Sequence, residues 1–116
     1  MSQKQEEQEE QIEKLQLMEQ NITNLVSQKQ QFQSQLMEVE SALEEIKVSD
    51  KTYKIVGNIM VAKKKEDLQA NLNEKKEMLN IRIKTLEKQE KDIREKAEEA
   101  QKKVLESMNH SPKGKK

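Results

Sequence analysis

Tyr53-Lys-Ile-Val-Gly-Asn-Ile-Met-Val61 is the stretch on which the fold turns. Tyr53, Ile55, Val56, Ile59 and Val61 are strand formers, because branched and aromatic side chains fit a pleated surface. Gly57-Asn58 between them reads as a two-residue turn, since glycine accepts the positive φ that a type I′ or II′ hairpin demands. Such a turn sets the register: Val56 faces Ile59, Ile55 faces Met60, and Tyr53 faces Ala62. Side chains alternate between faces along a strand. Tyr53, Ile55, Met60 and Ala62 therefore share one face, and Lys54, Val56, Ile59 and Val61 the other. Both faces are largely apolar, so neither is suited to open water.

On either side of this hairpin the apolar period changes from two to three and a half. Before it, Leu15, Met18, Ile22, Leu25, Lys29, Phe32, Leu36, Val39, Leu43 and Ile46 are spaced alternately three and four apart, and only Lys29 is charged. After it, the same spacing runs through Leu72, Lys76, Leu79, Ile83, Leu86, Glu90, Ile93, Ala97, Ala100 and Val104. This is the seam pattern of a coiled coil. The reading is a mostly α chain, an antiparallel two-helix coiled coil joined by a single β-hairpin. Its parts are a frayed or disordered N-terminus over 1–10, helix one over 11–47 and the linker with hairpin over 48–65. Helix two follows over 66–107, and a basic, disordered tail over 108–116 ends the chain. At 1.5 Å per residue the helices would be roughly 55 and 60 Å long. Residues whose numbers sum to about 115 should lie opposite one another, because the hairpin reverses the chain.

Composition agrees. Of 116 residues, 38% are charged, 32% hydrophobic and 2% aromatic, with two glycines and one proline. Such a profile fits a long helix or a disordered chain, and a sustained heptad separates the two. The formal charge is zero but unevenly spread. Residues 1–46 carry −7, 47–65 carry +5, 66–106 carry −1 and 107–116 carry +3. The absence of cysteine excludes a disulfide framework and any thiolate chemistry. No apolar run approaches the roughly 18 residues that would span a bilayer, and the first residues lack the apolar core of a secretory signal. No membrane association is expected, and a cytoplasmic location follows as the default.

This coil should not act alone. A two-helix seam is thin, while ordering roughly 80 helical residues costs about 1–2 kcal/mol each. A lone hairpin is marginal in water and presents two unpaired edges. A closed barrel assembled from several hairpins would remove those edges. Tyr53, Ile55, Val56, Gly57, Ile59, Met60 and Val61 are accordingly the expected oligomerisation residues, building a β-barrel platform from which the coils project.

Tyr53-Lys-Ile-Val-Gly57, the following Ile59-Met-Val-Ala-Lys63 and Leu86-Glu-Lys-Gln-Glu-Lys-Asp-Ile93 together resemble the β class of prefoldin subunits, the archaeal type most closely. The resemblance runs from about Leu15 to Met108. It implies an ATP-independent holdase chaperone subunit, working in an α2β4 hexamer with a longer α subunit and further β copies. The coil tips would hold non-native polypeptide and deliver it to a group II chaperonin. Ile12, Leu15, Leu17, Met18, Val104, Leu105 and Met108, near the two helix ends, are the expected client-binding residues. Ile12, Leu17 and Leu105 stand outside the heptad frames and are not consumed by the seam. Unbranched methionine adapts to varied surfaces.

Nothing in the sequence calls for chemistry. His110 is the sole histidine, and neither a Gly-rich phosphate loop nor a metal-ligand cluster is present. The expectation is a non-enzyme without cofactor or metal. A coiled-coil scaffold or tether is the alternative, but it leaves the strand-flanked turn unexplained. A nucleic-acid binder is disfavoured, because the net charge is zero and one Tyr with one Phe offers no stacking platform.

Overall fold

The computed structural model describes residues 3–109. Helix α1 (Gln3–Val48) leads into strand β1 (Thr52–Val56), strand β2 (Ile59–Lys63) and helix α2 (Lys65–Asn109). The strands pair antiparallel as Thr52↔Lys63, Tyr53↔Ala62, Lys54↔Val61, Ile55↔Met60 and Val56↔Ile59. That is the register expected from a turn at Gly57-Asn58. Gly57 has φ +61°, and no other described residue has positive φ. Positive φ at the first central position alone is the signature of type II′, where glycine is preferred.

The chain divides into two compact units. A hairpin unit spans Lys29–Thr85, and a terminal unit combines the residues up to Gln28 with those from Leu86 onward. In the hairpin unit Val39, Leu79 and Ile83 are buried, and the Arg82 guanidinium lies 5.6 Å from the centre of the Phe32 ring. Lys76 Nζ approaches Glu40 Oε2 at 3.8 Å. In the terminal unit Leu86 and Val104 are buried, and Gln8 Nε2 donates to Ser107 Oγ at 2.8 Å. Within each unit these pairings fit antiparallel helices with partners near the expected sum. Every residue of both heptad frames is buried or half-buried.

The junctions explain where the helices stop. The last four carbonyls of an α-helix lack intrahelical donors. At the end of α1, Ser49 Oγ donates to Glu45 O at 2.9 Å, Ser49 N to Ile46 O at 3.2 Å and Lys65 Nζ to Lys47 O at 3.0 Å. Glu66 and Asp67 occupy the first turn of α2, where carboxylates meet the positive end of the helix dipole. Thr52 Oγ1 donates to Lys63 O at 2.6 Å and ties the open end of the hairpin.

At two expected boundaries the helices run further. Of the segment 1–10, expected to be a frayed helical end or disordered, 3–10 is helical. Its Gln, Glu and Lys side chains lose little rotamer freedom in a helix, and Gln8 is held by Ser107. Helix α2 continues to Asn109, past the expected 107. Of the expected tail, 110–116 lies outside the described residues.

The Lys76–Glu40 pair is a poor source of stability. Both side chains are over a third exposed, at 40% and 47%, so solvent screens them. Changing Glu40 to Gln should alter unfolding free energy by less than about 1 kcal/mol, measured by chemical denaturation.

Candidate interaction surfaces

Each frame residue takes a heptad position, with Leu15 as a in α1 and Leu72 as d in α2. In an antiparallel pair, e positions of the two helices flank one side of the seam and g positions the other. The seven residues expected to bind non-native chains then separate into three groups. Leu15, Met18 and Val104 are seam residues, the first two half-buried and Val104 buried. Val104, a frame residue by its spacing, is 9% exposed at its a position, so most of its side chain lies within the seam. Ile12, Leu105 and Met108 are exposed and, at positions e, b and e, share one side of the terminal unit. Leu17, 60% exposed at position c, stands on the other side.

Beyond Leu15 the frame carries on through Gln11 and Gln8, and beyond Val104 through Ser107, all half-buried. An apolarity scan ends at Leu15 and misses this. The three-and-four spacing itself was the available signal. A polar continuation closes the ends of the helices by hydrogen bonding, through Gln8 and Ser107, rather than by apolar contact. The exposed apolar residues here are left unburied by the chain's own packing.

The hairpin presents the opposite extreme. Tyr53, Ile55, Val56, Ile59, Met60 and Val61 are all exposed, Ile55 at 69%, and Val48 just before the hairpin at 81%. Two β-strands carry six large apolar or aromatic side chains on both faces without a covering layer. Exposed contiguous apolar surface of this kind marks an association site, and the two strand edges add unpaired backbone groups. Gly57 completes the expected set by making the turn.

No helix of the described residues is long and apolar enough to cross a membrane, and no cluster of His, Cys, Asp or Glu among them could hold a metal. Among the described residues the exposed large apolar side chains gather at the hairpin and near the helix ends, with Met37, Met78 and Ile81 exposed singly along the coil between them.

Comparison with known proteins follows the same division. The prefoldin subunit family model matches residues 9–110. A prefoldin subunit beta from Archaeoglobus fulgidus is 47% identical over 93 residues, covering 78% of this chain and 80% of the relative. One from Methanospirillum hungatei is 39% identical over 93 residues, with 78% of each chain covered. The crystal structure of the prefoldin beta subunit from Thermococcus strain KS-1 superposes with a TM-score of 0.83 at 33% identity. That match covers 87% of this chain and 91% of the other.

Proposed function

The chain belongs to the prefoldin family, with its archaeal β subunits, and from that membership we propose that it is an ATP-independent holdase that captures non-native polypeptide on the ends of its coil. Members of this family are chaperone subunits that form hetero-oligomers. In our reading the hairpins of an α2β4 hexamer close into a β-barrel platform in the cytoplasm, with an α subunit and other β copies as neighbours. The hexamer then passes its cargo to a group II chaperonin.

The observation that carries this reading is the uncovered apolar surface at the hairpin and that at the helix ends, on a chain whose seam buries only five side chains among the described residues. One is built on paired strands with free edges, which suits assembly. The other consists of Ile12, Leu17, Leu105 and Met108, scattered singly around the helix ends, which suits contact with chains of no fixed sequence. Each such contact is weak. Several coil ends on one platform raise the effective concentration and let weak contacts hold together.

Replacing Ile12, Leu17 and Leu105 together with Ser should lower suppression of aggregation of a denatured client several-fold. Assembly should be unchanged, because none of the three lies in the seam or the hairpin. Undiminished suppression by the triple variant would overturn the assignment of clients to these residues.

A further inference from the structure

The terminal unit is hollowed along the side that carries its g positions. One groove of about 370 Å³ has half-buried Leu25 and Ile93 at its base and the exposed amides of Asn21, Asn24, Gln28 and Gln89 at its rim. A second, about 210 Å³, has half-buried Met18 and Ala100 at its base. Exposed Lys14, Lys96 and Lys103 stand around it. Small Ala100 accounts for the second hollow, since a larger seam residue would fill it. Each groove is edged by a single carboxylate, Asp92 in the first and Glu99 in the second. Among the described residues, no hydrogen bond engages the four amides and no ion pair engages the three lysines.

We propose that this side of the terminal unit is a peptide groove for an extended polypeptide segment carrying apolar and acidic side chains together. The inference rests on the holdase reading and gives it a substrate class. Asn and Gln each present a donor and an acceptor, which matches the unpaired N–H and C=O of an extended main chain whatever its sequence. A helical partner would keep those groups for its own hydrogen bonds and leave the amides unanswered. The apolar base takes side chains from the segment's inner face, and lysine stems extend that base while their ammonium groups stay in water. At the Ala100 end Lys14, Lys96 and Lys103 outnumber Glu99 and the Glu7 that lines the adjoining hollow beside Lys103, and so select for acidic residues. The two hollows lie in succession along the same side, and the helix from Gln11 to Gln28 that carries them rises about 25 Å, the span of about eight extended residues.

The test uses the full chain in its assembled form and two labelled peptides of equal length and equal apolar content, one acidic and one basic. Fluorescence anisotropy should show the acidic peptide binding about tenfold more tightly, a preference that salt erodes. Replacing Lys14, Lys96 and Lys103 with Gln should abolish the preference while leaving assembly intact. Replacing Asn21 and Gln89 with Ala should weaken both peptides by the same factor. Equal binding of the two peptides, or a preference that survives the lysine variant, overturns the proposal. Aggregation suppression by the unaltered assembly, run alongside, separates the two readings. Suppression without acidic preference sinks the groove alone, whereas absent suppression sinks the holdase reading and the groove with it.

Discussion

Replacing Gly57 with Val is expected to dismantle the assembly while leaving the helices folded. An added Cβ at Gly57 meets nothing within 4 Å, so crowding is not the obstacle. The obstacle is φ +61° at the first central position of the turn, where a side chain, above all a β-branched one, is strained by about 1–3 kcal/mol. A free two-stranded hairpin is marginal in water, so a strain of this size is comparable with everything that holds it. If the proposed assembly is right, native mass spectrometry of the unaltered chain mixed with an α subunit should give an α2β4 hexamer, and the variant should give monomers and small oligomers. The helical circular dichroism signal should persist, because no seam residue touches the turn. A variant that still forms hexamers would mean that neighbouring hairpins impose the strand pairing and that the turn only follows it.

Replacing Leu79 with Ala should cost about 2–5 kcal/mol in unfolding free energy. Among the described residues Leu79, at 4% exposed, is the most buried and one of only five buried side chains. Removing its isopropyl group subtracts burial and leaves a hollow where the facing helix cannot fully collapse. Because the seam is thin, one leucine is a large share of it. Its neighbour Met78 is 51% exposed, and Met78→Ala should change stability by less than about 0.5 kcal/mol. Chemical denaturation of the two variants, followed by helical signal, checks the contrast. Equal losses at the two positions would show that the coil is held by something other than this seam.

Much of this was legible from residue types and spacing. A single Gly-Asn pair between strand formers is enough for the hairpin register, down to Val56 opposite Ile59. The two frames, Lys29, Lys76 and Glu90 included, coincide with the residues that the helices cover. The helix start was not legible from apolar content, because Gln8 and Gln11 take seam positions that hydropathy does not mark. Val104 was placed in the frame by its spacing, but that spacing does not mark how little of it the packing leaves exposed.

By itself the sequence determined the elements, their order and the pairing of the strands. Those rest on turn chemistry and on periodicity, which act over a few residues and need no knowledge of what lies across the seam. Only the tertiary structure decided how deep the seam is beneath each loose apolar residue. Met18 is half-buried over a hollow beside Ala100, whereas Val104 is buried. Depth depends on the volume of a residue supplied by the opposite end of the chain. Antiparallel packing brings that residue into place, and no local pattern encodes it.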